Sequence, residues 1–464
     1  MKTLKTSKKW YSILTLNLLL LATACDSFVA VDLPKSQLTQ VAVFEDNATA
    51  NAALNDIYAK IRDKGILTGA NTGISNQLAN YTDEMVAYGN PTNPSLPFYN
   101  NALLPTNSGI ADYWNSSYNQ IYSANALLEG IAASTKLTSE HKKTLQGEAL
   151  FIRALVHFYL ANLFGDIPYI KTTDYQKNAI VSRLPIDQVY NHTIEDIKQA
   201  IALLPESYST TERIRANKWV AKSLLARVYL YHQSYDKALQ EANEVIHQSA
   251  LFVLEEDLDN VFLLQSKETI WQLQAPVAGQ NTQEGAVFIF ETGPPSLVAL
   301  SDLLVNSFSN TDQRKTHWIK AVTDGNAVWY HANKYKERNF TGTSKEYSIV
   351  MRLAELYLIR AEAKAQLGST AGAIGDLNLI RFRAGLSATT ATTKEAIITA
   401  LIQERRWEFF TEHGHRFFDL KRYNQLDAVL SGTKSGWNTH DRLFPIPQIE
   451  LSTNPNLRPQ NSGY

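Results

Sequence analysis

Apolar residues recur at helical spacing over most of the chain. In 47–62 the positions Ala50, Ala53, Leu54, Ile57 and Ile61 fall on one face of a helix. The stretch 114–131 repeats the pattern with Tyr118, Ile121, Tyr122, Ala126 and Leu127. A longer run, 141–164, places Leu145, Ala149, Ile152, Leu155, Val156, Tyr159 and Leu163 at the same spacing. Gly165-Asp166-Ile167-Pro168 ends it, with glycine past the last turn and proline beyond. A further helix over 189–204 stops at Pro205.

Two later stretches read as helix–turn–helix repeats. In the first, Leu225, Ala226, Tyr229 and Ala238 have the spacing of a tetratricopeptide unit, with the turn at Gln233-Ser234-Tyr235-Asp236. In the second, Ala361, Ala373 and Leu377 flank a turn at Gly368-Ser369-Thr370. Small residues let paired helices approach closely, and such units stack because none buries its apolar face alone. On these spacings generic helical hairpins fit equally well. Between the helices, 65–112 is irregular and rich in Asn, Thr, Pro and Gly, and 251–348 mixes turns with strand-like runs at 268–273 and 286–290. Both irregular regions are aromatic, which argues against disorder. The reading is a mainly α fold of tetratricopeptide-like helical repeats forming a scaffold, with long loops and a few short strands.

The N-terminus has Lys2, Lys5, Lys8 and Lys9, a short apolar run 13–21, and then Ala22-Thr23-Ala24-Cys25. A basic segment, an apolar stretch too short to span a bilayer and small residues make an export signal. The sole cysteine directly after the small residues resembles a lipobox, so 1–24 reads as a lipoprotein signal and Cys25 as the lipidated residue. Removing four lysines and no acids takes the net charge from −1 to −5. Lys+Arg of 44 against Asp+Glu of 45 lacks the basic excess of a nucleic-acid binder. A single cysteine permits neither an intrachain disulfide nor a Cys-x-x-Cys zinc site. Domain boundaries follow as an N-terminal helical region 25–250 and a C-terminal region 251–464, joined in one compact unit.

The C-terminal third carries the most specific patterns. Glu404-Arg405-Arg406-Trp407-Glu408-Phe409-Phe410 precedes Gly414-His415-Arg416-Phe417-Phe418-Asp419-Leu420-Lys421-Arg422. The chain ends with Pro445-Ile446-Pro447, Asn454-Pro455-Asn456-Leu457 and Gln460-Asn461-Ser462-Gly463-Tyr464. Upstream stand Asn162-Leu163-Phe164-Gly165-Asp166-Ile167-Pro168 and Arg352-Leu353-Ala354-Glu355-Leu356-Tyr357. Together these resemble the SusD/RagB family of Bacteroidota surface lipoproteins over nearly all of the mature chain. The resemblance implies a lipid-anchored outer-membrane protein facing the cell exterior. It would capture a glycan or oligosaccharide and deliver it to a SusC-like TonB-dependent transporter, without cofactor, metal or covalent chemistry. A peptide-binding member of the family and a surface glycoside hydrolase are the alternatives.

Sugar recognition needs flat apolar faces beside amides or carboxylates. Asp83, Glu84, Tyr88, Asn90, Phe98 and Tyr99 offer that mix in the first irregular region, and Phe290, Trp318, Trp329 and Tyr330 in the second. The resemblance implies ligand contacts from loops in these two parts of the chain. Asp83-Glu84 is also the acidic pair a hydrolase would use. Arg405, Glu408, Glu412, Arg416, Asp419 and Arg422 read as an ion-pair network tying the last helix to the scaffold, because Trp407, Phe409, Phe410, Phe417 and Phe418 bring apolar bulk to the same segment. His413 and His415 flank a glycine expected to end a helix, which argues against a metal site there.

Overall fold

The computed structural model describes residues 43–464; the stretch 1–24 read above as an export signal and the expected lipidation residue Cys25 lie outside them. Helix α1 (Asn47–Asp63) begins where the Asp46 carboxylate accepts the backbone N–H groups of Ala48 and Thr49 at 2.7 and 2.9 Å. The Ile74–Tyr81 segment forms α2, and α3 (Ser108–Ala133) starts on the side chain of Asn107. Next comes α4 (Ser139–Phe164), capped by Thr138 and closed by Gly165 at φ 77°. Its second half is buried on all sides, as expected of a helix apolar around its whole circumference. Four more follow: α5 (Ile186–Leu203), α6 (Lys218–Tyr231), α7 (Tyr235–Ile246) and α8 (Leu353–Gln366). The last three long elements are α9 (Thr370–Arg383), α10 (Lys394–Phe409) and α11 (His415–Arg422).

From α3 to α9 each helix packs on the next, giving a continuous array of antiparallel hairpins. The α6–α7 and α8–α9 hairpins turn at 232–234 and 367–369, within two residues of the sequence expectation. Gly368 supplies φ 86° in the second turn. Ala226, Ala238, Ala361 and Ala373 are fully buried where these helices meet. The fold is mainly α with few short strands, as the periodicity predicts.

The two irregular regions are more ordered than the sequence suggests. Residues 65–112 contain α2, the one-turn helix Leu96–Tyr99, the strand β1 (Met85–Ala87) and the first turn of α3. Strand β2 (Thr269–Leu273) matches the run at 268–273. The run at 286–290 does not form a strand: Gln283–Phe288 is a helix, started by the Thr282 hydroxyl accepting the Gly285 N–H at 3.0 Å. A short apolar run does not separate the two states by period alone. The remaining strands are β3 (Val298–Leu300), β4 (Ile319–Thr323), β5 (Val328–Ala332) and β6 (Ser348–Arg352).

Antiparallel pairing builds a four-stranded sheet in the order β1-β3-β5-β4 and a two-stranded ribbon of β2 and β6. Met85 pairs with Leu300, Leu300 with Tyr330, and Tyr330 with Ala321, so strands some 200 residues apart in sequence lie edge to edge. One face of the four-stranded sheet packs Met85, Val298, Leu300, Ile319 and Ala332 against Phe262, Phe308 and Trp318. The largest core draws on both ends of the chain, with Tyr81, Phe98 and Tyr113 against Phe417 and Phe444.

The closing motif has a structural account. Gln460 bonds to both the N–H and the carbonyl of Ile446, at 2.8 and 2.7 Å. The Asn461 amide donates to the carbonyls of Phe164 and Phe444 at 2.8 and 2.7 Å, and the Phe444 N–H donates to Leu163 at 2.8 Å. The final residues therefore satisfy backbone groups left open where α4 ends.

Candidate functional site

Strand pairing decides which predicted residues can meet. The Tyr88 N–H donates to the Leu297 carbonyl at 2.7 Å, and the Asn93 amide donates to the carbonyls of both Tyr88 and Leu297. The first aromatic loop is thereby pinned to the segment entering β3. On β5, Trp329 and His331 project to the face opposite Tyr330 and Ala332, since side chains alternate. The Trp329 ring packs against Gly293, where a Cβ would come within 2.1 Å of it. Only glycine leaves room for that indole.

Tyr88, Tyr99 and Trp329 are each half-buried and come from three separate segments. Burial raises the Tyr88 phenol above its ordinary value, Asp302 and Tyr99 add to this, and the Trp329 indole beside it pulls the other way. The Tyr99 ring receives the Lys434 ammonium at 3.8 Å, while Lys434 donates to the Asn80 carbonyl at 2.7 Å. Asn90 is exposed at the rim, its side chain accepting from the Thr92 N–H in a local turn. The result is a partly exposed aromatic surface with amide, carboxylate and ammonium groups around it. Phe290 stands nearby on the same sheet face, edge-on to His331 with ring centres 5.2 Å apart.

Five predicted ligand residues lie elsewhere. Asp83 is only 6% exposed and receives Arg416 through two nitrogens at 2.9 Å and Arg406 at 2.8 Å. Burial alone would raise its carboxyl, but the two guanidinium groups hold it below the usual carboxylate range. Glu84 is buried beside it; burial and the Asp83 charge push it up to about 8. Phe98 packs among Tyr81, Tyr113 and Phe444. Trp318 is fully buried, its indole N–H donating to the Leu258 carbonyl at 3.0 Å. Phe98 and Trp318 lie in short helices packed on the core, while Asp83 and Glu84, in the turn between α2 and β1, are drawn inward by Arg406 and Arg416 and by the Thr411 N–H. Tyr330 is half-buried and turned toward the sheet core.

The charged C-terminal block is a frame for the fold. Arg405 pairs with Asp419 at 2.7 Å, and Arg422 bridges Asp419 and Glu362. Arg352 reaches Glu268, Glu408 and Glu412. Gly414 does not end a helix; it precedes α11 at φ 74°. The histidines around it diverge, His413 to the Ile349 carbonyl and His415 to Arg405, so they offer no shared site. Among the described residues Asp257, Asp259 and His317 bring three potential metal-ligating atoms within 4.8 Å of one another, but the Lys336 ammonium already lies 2.7 Å from Asp259.

Sequence reasoning missed Asp302, Lys434 and His331. None sits in a local pattern that marks it; each becomes relevant through pairing with a distant segment. A separate cavity of about 300 Å³, lined by Trp114, Tyr118, Tyr122 and Val181, includes none of the predicted ligand residues.

Comparison with known proteins agrees with this architecture. Residues 34–230 match the family model described as starch-binding, associating with the outer membrane, and residues 304–464 match that of the SusD family. The SusD-like protein P25 of Formosa agariphila is 25% identical, covering 95% of this chain and 97% of its own. The starch-binding protein SusD of Bacteroides thetaiotaomicron is 23% identical, over 69% of this chain and 72% of its own. A SusD superfamily structure from Bacteroides vulgatus superposes with a TM-score of 0.80 at 22% identity, covering 91% of this chain and all of that one. A laminarin-binding SusD-like protein gives 0.77 at 25% identity, covering 91% and 100%. With both family models matched in order along one chain and the hairpin scaffold shared end to end, the chain belongs to the SusD/RagB family.

Proposed function

We propose that this protein is a non-catalytic glycan receptor of the outer membrane, lipidated at Cys25, that holds an oligosaccharide at the cell surface and passes it to a SusC-like TonB-dependent transporter. The observation that carries the reading is the accessible aromatic surface of Tyr88, Tyr99 and Trp329, assembled from two loop regions on a rigid scaffold. Stacking on such rings with hydrogen bonds to hydroxyls is how a shallow surface holds a sugar. The laminarin-binding similar structure supports the substrate class. Binding without hydrolysis is favoured by the state of the acidic pair: Asp83 is committed to two arginines and Glu84 is buried.

Isothermal titration of the full chain in detergent against neutral and charged glycans and against peptides tests the reading. At least one glycan is expected to bind at micromolar Kd or weaker, about −8 kcal/mol at most. Trp329→Ala is expected to abolish the heat while leaving the melting temperature within a few degrees, since the ring is half-exposed. Heat with peptides alone, or new reducing ends released from a polysaccharide, overturns it. Co-purification of a TonB-dependent transporter from outer membranes tests the partner.

A further inference from the structure

Beside the aromatic surface the sheet forms one wall of a second cavity of about 390 Å³. Lys320 and Val322 on β4 pair with His331 and Trp329 on β5, so all four share the face that Trp329 presents. His331 lies two residues from Trp329, roughly 7 Å along the strand. Phe290, Glu291 and Arg338 complete the cleft.

Two observations point to a ligand. The first is His331, only 1% exposed and in the cavity wall. Its Nδ1 lies 3.0 Å from the Ala332 carbonyl, which can only accept, so Nδ1 carries the proton and Nε2 presents a lone pair. Nε2 has no partner among the described residues. A buried acceptor left open carries a standing cost that a hydroxyl donated from the cleft removes. The second is charge. Lys336 is taken by Asp259 and Glu337 by Lys345, whereas Lys320 and Arg338 have no acidic partner within salt-bridge distance among the described residues. Both are exposed at the cleft. Among the described residues, one cleft carboxylate without a salt-bridge partner, Glu291, stands against these two cations.

We propose that this cleft is a subsite for an anionic sugar, a uronate or a sulfated unit, belonging to the same oligosaccharide that stacks on Trp329. The assignment rests on the glycan-receptor reading and narrows its substrate class. Lys320 and Arg338 hold the carboxylate or sulfate oxygens, and His331 accepts a ring hydroxyl.

The test compares three oligosaccharides of similar length by titration against the full chain in detergent: a neutral laminari-oligosaccharide, an oligogalacturonate and a carrageenan oligosaccharide. The perturbation is Lys320→Ala combined with Arg338→Ala, two exposed side chains that the fold does not use. One anionic probe is expected to bind more tightly than the neutral one. The double variant is expected to weaken that probe about tenfold and leave the neutral one unchanged, and high salt is expected to act like the variant. The carboxylate and sulfate arms identify which anion is bound. Equal affinity for neutral and anionic probes, neutral binding alone, or an unchanged Kd in the double variant overturns the subsite and leaves the glycan receptor standing. Silence with all three probes overturns both.

Discussion

Replacing Arg352 by methionine removes one member of a buried set of ten charges. The cations are Arg314, Lys334, Arg352, Arg381 and Arg383; the carboxylates are Glu268, Asp312, Glu404, Glu408 and Glu412. Five against five is balanced. Arg352 contacts three of the carboxylates, with Glu268 at 2.8 Å, Glu408 at 2.5 Å and Glu412 at 2.9 Å. Methionine keeps most of the volume, so the cavity contribution is small and the loss is electrostatic. One carboxylate is left uncompensated in the interior, which costs about 3–5 kcal/mol. That is a large part of the ~5–15 kcal/mol that holds a domain folded.

Acid supplies an internal control for this variant. Burial alone would raise Glu408, but Arg383, Arg352 and Arg314 overwhelm it and hold the carboxyl well below its ordinary value. Glu412 is likewise lowered, by Arg352 and Lys334 against burial. Depressed carboxyl groups contribute stability above their unfolded pKa, near 4.5, and lose it as pH falls through the folded value. Without Arg352 these groups protonate at higher pH, and protonation removes the excess charge. The difference between wild type and variant is therefore largest near neutrality and shrinks toward about pH 4. Urea unfolding followed by tryptophan fluorescence at about pH 7 and about pH 4.5 measures both numbers. A loss under about 1 kcal/mol at neutrality, or the same loss at both pH values, refutes the charge-balance reasoning.

Glu84, pushed up to about 8 from 4.5, stays protonated in the fold but ionises on unfolding, so wild-type stability falls as pH rises across that window. Glu84→Gln removes this slope, and the variant is expected to gain on wild type steadily from pH 5 to 8 in parallel urea titrations; parallel curves refute the assignment. Asn461→Ala leaves the buried carbonyls of Phe164 and Phe444 without their donor and is expected to cost about 1–3 kcal/mol by denaturation. Glycan affinity in Asn461→Ala is expected to match wild type, because the clamp lies among the core contacts of α4.

Much of the scaffold is legible in the sequence because a helix writes itself locally. The periods over 47–62 and 141–164 recover α1 and α4 to within a few residues, and Gly165 marks the end of α4 directly. The C-terminal ion pairs are legible too, since the aromatic bulk around Arg405 and Glu408 forces those charges inward. The sheet is not, because three- and five-residue strands with mixed exposure carry no clear alternation. The site suffers most from that gap. Asp83 looks like a loop carboxylate until Arg406 and Arg416, more than 300 positions downstream, are placed against it. Trp318 and Trp329 are indistinguishable as letters; the first ends the short helix Gln313–Trp318 and is buried with its indole on the Leu258 carbonyl, while the second lies half-buried on β5.

The contact between β1 and β3 has a consequence for occupancy. Tyr88 and Trp329 sit on opposite sides of that seam, so a saccharide touching both rings staples it shut. Ligand bound there is expected to slow amide exchange at the Tyr88 and Ser301 N–H groups, whose acceptors are Leu297 and Glu84 across the join. If the glycan-receptor proposal holds, a polypeptide cut between the two loops is expected to keep its hairpins yet release saccharide, which would make saccharide retention a gauge of whether the two halves have zipped together.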